Sequence, residues 1–292
     1  MIKTFRITQY IQPWEIDDLT RQIEQHIKSF YYIPKNNEVI FDITMNMNVV
    51  NWNNSKIPYQ YFIDKFTYLE TQLKQYFTVE FDLDENIKGC TDKRRQAQYK
   101  IQDYIIWLDS DIYFSHLTLP YLISSTEHIQ EDTFILSPEI IKYWDNSWDC
   151  IVHDKFLKEP HNHRDYFDLY VFDSLVTNNE ISLRKNNTIK FGGGWFNLIK
   201  STVFDKIPLI DELGSYAPDD TYLSICGKQI IPQYVLGGVV VSEIGKRLLE
   251  NKDYIKPLLD IKIQDKQKIS DNELYQLINK FHNELILNNS KL

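Results

Sequence analysis

Apolar positions along this chain alternate between two periods. Ile2 to Tyr10 reads as a strand closed by Pro13, and Ile16, Leu19, Ile23, Ile27 and Phe30 then recur at helical spacing. The spacing predicts an amphipathic helix over Glu15 to Phe30. Pro34 and Asn36-Asn37 break the chain before a second strand at Val39 to Ile43, and 46–56 is polar loop. A second helix carries Phe62, Phe66, Leu69, Leu73 and Tyr76 on one face, and Thr78 to Leu83 is a third strand. Such alternation favours a parallel sheet with helices packed on it. Tyr104 to Leu108 is unbroken apolar sequence, the pattern of a strand buried on both faces.

Beyond that strand a helix starts near Thr118-Leu119-Pro120, with proline in the first turn where its missing N–H costs nothing. Thr133 to Ser137 is another strand candidate, Glu180 to Lys190 a strand or hairpin, and Gln233 to Val241 a last strand. The remainder is helical: Ser270 with Glu273 fits a capping box ahead of Leu274, Leu277, Ile278, Phe281 and Leu285. We expect one α/β domain over 1–243 and a C-terminal helical extension, packed on it, over 244–292.

Composition narrows the function classes. The chain has 292 residues, 43% of them hydrophobic, enough for one large core. Its net charge of −9 disfavours broad binding to nucleic acid or anionic membrane. Cys90, Cys150 and Cys226 are widely spaced and form no redox or metal pair, which fits reduced thiols in a cytoplasmic protein. No apolar run spans a bilayer, Val235 to Val241 being the best, and Met1 to Arg6 lacks the apolar stretch of a secretory signal. His153, His161 and His163, in the aromatic stretch 142–173, are too irregularly spaced to suggest a metal site.

The candidate chemistry gathers after the buried strand. It runs straight into Asp109-Ser110-Asp111, and open α/β sheets bind ligands beyond the carboxyl ends of their strands. Two carboxylates so close need a cation or donors, and oxygen ligands from one turn suit Mg²⁺ or Mn²⁺. An Asp-x-Asp can equally be a solvated turn or a cap; its position at the strand end is what favours a site. Ahead of the strand, Thr91 to Lys100 is short, helical and basic. It is either a solvated face or the place where Arg94 or Arg95 forks onto a diphosphate. Phe191-Gly192-Gly193-Gly194-Trp195-Phe196-Asn197 is either a tight turn or a close approach of backbone to ligand. Asp219-Asp220 opens a helix, where a cap requires only one of them.

In this order, the basic helix, strand-Asp-x-Asp, glycine-rich aromatic turn and helix with paired carboxylates resemble the nucleotide-sugar-dependent glycosyltransferases of the GT-A fold. The likeness covers roughly 92–223 and is greatest to the family-2-type group. It implies a Rossmann-like, mostly parallel sheet flanked by helices. It also implies transfer of a sugar from a nucleoside-diphosphate donor, UDP-linked foremost, to the hydroxyl of a glycan or other acceptor. By this resemblance Asp111 ligates Mn²⁺ or Mg²⁺, Asp109 binds the donor ribose or shares the metal, and Arg94 and Arg95 lie in the donor region. Gly193, Gly194 and Trp195 border the donor sugar and acceptor. Asp220 is the general base of an inverting reaction, and Asp219 assists acceptor binding. No histidine lies between Asp220 and His282 to match the family's metal ligand after the catalytic helix, so Glu243 stands as the substitute. Three alternatives are a nucleotidyltransferase, a viral DNA-base glycosyltransferase and an inactive glycan-binding module. Gln9 to Glu15 lacks the glycine-rich phosphate loop of the first, and the acidic balance disfavours the second. The two acidic pairs count against the third.

Overall fold

The computed structural model describes residues 2–47, 57–85, 89–141, 181–186, 194–215, 219–228, 230–243 and 271–289. The first half alternates strand and helix as the periodicity requires. Strand β1 (Lys3–Ile11), helix α1 (Ile16–Ser29), β2 (Asn37–Asn46), α2 (Tyr59–Leu73), β3 (Thr78–Asp84), α3 (Cys90–Ala97) and β4 (Tyr104–Leu108) follow in turn. Then come β5 (Ile112–Tyr113), α4 (Thr118–Ser125), β6 (Ile135–Ile141), β7 (Ser182–Lys185), β8 (Phe196–Lys200) and α5 (Val203–Lys206). Helix α6 (Asp219–Gly227), β9 (Gln233–Glu243) and α7 (Asp271–Asn289) complete the described elements.

The sheet runs β3-β2-β1-β4-β8-β6-β9-β5, with β7 also on β9. Strands β1, β2, β3, β4, β6 and β9 point one way; β8 lies antiparallel between β4 and β6, and β5 and β7 pair antiparallel with β9. The sheet is therefore mostly parallel, with its parallel ends gathered along one edge. Strand β8 is a correction: the glycine-rich stretch continues into a core strand, with Phe196, Asn197, Leu198 and Ile199 all buried. Strand β6 also runs past the expected Ser137, through Pro138 and a register shift to Ile141, because a bulge tolerates the missing N–H.

Two apolar cores sandwich the sheet. Phe5, Ile7 and Ile11 of β1 face Ile16, Leu19 and Ile23 of α1 and Phe62, Phe66 and Leu69 of α2. On the opposite face Ile105 and Trp107 of β4, Ile135 of β6 and Ile199 of β8 pack under Tyr222, Leu223 and Cys226 of α6 and Ile278 of α7. All five residues of β4 are buried, so the continuous apolar run does serve both faces. Burying each such side chain stabilises by about 1.5–3 kcal/mol.

Beside the second core, the side chains of β1–β3 that face α3 form a polar layer. Asp42, fully buried, pairs with Lys93 of α3 and, more loosely, with Arg6 at 3.3 Å and Lys100 at 3.0 Å. Arg6 also forks onto Glu80 at 2.8 and 3.0 Å. Those bonds from Arg6, joined by Lys100, hold the Glu80 carboxyl down to about 2 despite its partial burial. Burial lowers the Lys93 ammonium from its usual value, and Asp42 counters that. The layer anchors α3 to the sheet and so fixes where the next residue, Arg94, can reach. Among the described residues no helix is long and apolar enough to cross a membrane. Ser270, the aromatic stretch 142–173 with its histidines, and 244–270 of the expected extension lie outside the described residues.

Candidate active site

The buried strand β4 delivers Asp109 to the edge where the parallel strands end. The turn that follows is held on several sides. The Asp109 N–H donates to the Trp195 carbonyl at 3.1 Å, and the Ile112 N–H to the Asp109 carbonyl at 3.4 Å. From below, the Gln22 amide donates to the Asp109 carbonyl at 2.7 Å and the Ile112 carbonyl at 2.8 Å. Gln9 of β1 donates to Gln22 in turn, at 2.7 Å. Gln22 is 1% exposed. It escaped sequence reasoning, although a glutamine beside Leu19 and Ile23 on the apolar side of α1 was a visible signal.

Arg94 connects the two acidic motifs. Its Nη1 donates to Asp219 Oδ1 at 2.8 Å, and its Nη2 to Asp109 Oδ1 at 2.7 Å and to the Gly194 carbonyl at 2.8 Å. The guanidinium lies 4.8 Å from the centre of the Trp107 ring. Burial works against its charge, yet Asp219 and Asp109 more than offset this and raise its pKa. Asp109 is therefore paired with an internal cation. Arg94 does turn towards these carboxylates, but both its amino groups rest on protein acceptors.

The other predicted positions divide. Arg95 turns away: it donates to the Ile210 carbonyl at 3.2 Å, the Gly214 carbonyl at 2.7 Å and Asp92 at 2.9 Å. Its expected place at the donor gives way to pinning α3 against the segment after α5. The Trp195 indole, expected to border the donor, is buried in the larger core, just ahead of β8. Only its carbonyl reaches the Asp109 turn. Gly194 is needed for close packing, since a Cβ there would lie 2.7 Å from Arg94 Nη1 and 2.8 Å from Nη2. Gly193 lies outside the described residues. Glu243 sits in β9 opposite Ile112, next to the Asp111 turn.

Asp219 and Asp220 open α6 with different surroundings. Asp219 is buried, bound to Arg94, and caps the Asp220 N–H at 2.9 Å. Asp220 accepts the Thr221 N–H at 2.6 Å and faces a crevice lined also by Trp107, Ser137, Asn197 and Gln233. Burial, then the neighbouring Asp219 charge, raises its pKa to about 6, with Arg94 pulling the other way. A carboxyl poised near neutrality suits a general base.

Fit to a divalent metal rests on the Asp-x-Asp turn. Asp111 is partly exposed, and no side chain among the described residues pairs with it. With Asp109 it offers hard oxygen donors on one turn, a set that suits Mg²⁺ or Mn²⁺ when phosphates and waters complete the shell. Among the described residues no group of three acidic, histidine or cysteine side chains forms a closed metal cage.

No family model matches the sequence, and no curated protein matches it. Solved structures do. GalNAc-T7 with UDP, GalNAc and Mn²⁺ superposes with a TM-score of 0.51 at 13% identity, over 84% of this chain and 44% of that one. The chain has the GT-A fold of nucleotide-sugar glycosyltransferases. S. aureus TarS 1-349 is also similar, with a TM-score of 0.46 at 14% identity over 96% of this chain and 70% of that one. The same protein in complex with UDP gives 0.45 and 14% over 95% and 70%. In this GT-A chain Asp109-Ser110-Asp111 lies on the edge where the parallel strands end, and Arg94 ties it to the start of α6.

Proposed function

We propose that this chain is a glycosyltransferase that moves a sugar from a nucleoside-diphosphate donor, UDP-linked foremost, to an acceptor hydroxyl with inversion. The observation that carries the reading is the single guanidinium of Arg94, which bonds Asp109 on one side and Asp219 on the other. Two acidic motifs far apart in sequence thus belong to one site, as a two-sided displacement requires. The UDP in the GalNAc-T7 structure supports the choice of donor.

Asp111, together with Asp109, would hold Mn²⁺ or Mg²⁺, which would supply charge neutralisation for a departing diphosphate. Asp220 takes the proton of the acceptor hydroxyl as it attacks the anomeric carbon. Its raised pKa keeps it largely ionised at pH 7 and still basic enough to accept that proton. Asp219 and Arg94 hold the start of α6 against the Asp109 turn and so set the spacing between base and donor. The hexosyl or pentosyl type and the acceptor are matters for assay. A thermal-shift screen of nucleoside diphosphates and nucleotide sugars, with and without Mn²⁺, tests the reading. A Mn²⁺-dependent rise in Tm with one nucleotide sugar is expected, since a ligand bound to the native state stabilises it. No shift with any of them overturns the assignment.

A further inference from the structure

The crevice beside Asp220 contains an unexplained polar group. Trp107 lines this crevice with Asp220, Ser137 and Asn197, and its Nε1–H is buried with no hydrogen-bond partner among the described residues. An unpaired buried donor costs about 1–3 kcal/mol, so native proteins rarely leave one unmet. The crevice has about 10 Å³ for the centre of a water molecule, which is room for one. A buried water also needs two to four polar partners.

The partners are present and their roles complement one another. Trp107 Nε1 can only donate. Ser137 Oγ directs its hydrogen to Asn197 Oδ1 at 2.5 Å, so its lone pairs are left to accept. The ionised Asp220 carboxylate only accepts, and its two oxygens have lone pairs to spare beyond the Thr221 and Gly194 N–H groups that already bond it. A water here would accept from Trp107 and donate to Ser137 and Asp220, making three bonds.

We propose that one ordered water bridges Trp107 Nε1, Ser137 Oγ and the Asp220 carboxylate, which makes Trp107 and Ser137 positioning residues for the base. Through that water the sheet beneath Arg94 orients the carboxylate and adds a donor to its ionised form. The charged groups that face Asp220 are Asp219 and Arg94; Ser224 and Gln233, which also line the crevice, are neutral. The water stands on the geometry alone, while its consequence for turnover rests on Asp220 being the base proposed above.

A crystal structure of the wild-type protein at high resolution is the direct test, with density expected for a water within hydrogen-bond distance of Trp107 Nε1 and Asp220. A dry or side-chain-filled crevice overturns the proposal. Trp107→Phe keeps an aromatic ring under Arg94 and removes the N–H, together with part of the buried indole volume. Titrating the Asp220 carboxyl by ¹³C NMR, with the resonance assigned by its loss in Asp220→Asn, reads the effect without any substrate. In Trp107→Phe the midpoint should rise by about 0.5–1 unit, as expected for losing one donor to the anion. An unchanged midpoint also overturns the proposal. Ser137→Ala, which retains Trp107, should give a smaller rise and serves if Trp107→Phe does not fold. Failure to find any sugar donor would sink the glycosyl-transfer reading and leave both of these measurements standing.

Discussion

Replacing Asp220 by Asn should make the protein more stable at neutral pH while removing transfer. Asp220 has its pKa raised from 3.8 to about 6 by burial and by Asp219. The native state therefore holds this proton more tightly than the unfolded chain does. Its folded value lies above the unfolded one, so it contributes stability at low pH that is lost as the pH rises from about 4 through 6. Taking 1.36 kcal/mol per unit, keeping the group ionised in the folded protein costs about 3 kcal/mol at pH 7, about 1.6 at pH 5 and about 0.6 at pH 4. Asn carries no charge and keeps one oxygen for the backbone N–H groups of Thr221, at 2.6 Å, and Gly194 that now bond Asp220. Urea unfolding of wild type and Asp220→Asn, compared at pH 7, 5 and 4, measures the difference. The variant should be more stable by up to about 3 kcal/mol at pH 7, and the advantage should shrink towards zero at pH 4. Donor affinity should persist and turnover fall by about 10²–10⁴-fold. A variant no more stable than wild type at pH 7, or one whose gain ignores pH, would refute the account of this carboxyl.

Asp111→Ala should leave the fold intact and abolish Mn²⁺-dependent UDP binding in calorimetry, since no described side chain pairs with Asp111; unchanged affinity would remove it as a ligand. Arg94→Met leaves the buried Asp219 without its cation, and denaturant unfolding should show a loss of about 3–5 kcal/mol that Arg94→Met/Asp219→Asn partly recovers. Gly194→Ala forces Arg94 from its place, because the added Cβ would sit 2.7 Å from Nη1, and should cost about 1–3 kcal/mol on the same assay. His26 is fully buried between Phe41 and Phe114, with its pKa lowered by burial to about 3. Its folded value lies below the unfolded 6.5, so stability should fall as the pH drops from 6.5 towards 3, by up to about 1.4 kcal/mol per unit. Asp220 acts in the opposite sense over part of that range, so comparing His26→Leu with its parent in the Asp220→Asn background isolates the slope.

Much of the architecture was legible from local pattern. The run Tyr104 to Leu108 is apolar at every position because both sheet faces are covered, and nothing distant is needed to see that it is a core strand ending in Asp109. The alternation of strand and helix through the first hundred residues is equally local, since periods of two and of 3.6 are written in neighbouring side chains. Strand β8 was hidden because Phe196 to Ile199 is short and lies just after a glycine run; its strand character comes from the slot between β4 and β6. The site followed the same division. The acidic motifs could be named from sequence, but which cation met them could not. Lys93, Arg94 and Arg95 are consecutive, and the helical rotation of about 100° per residue sends them to Asp42, to Asp109 with Asp219, and to the carbonyls of Ile210 and Gly214. Those acceptors lie on β2, at the end of β4, at the start of α6 and in the segment before it, elements brought together only by strand order and by the packing of α3 on β1. Gln22 grips the Asp109 turn, and Trp107 lines the crevice beside Asp220, for the same reason. Sequence sets which side chains an element offers on each face, and tertiary packing alone decides what each face meets.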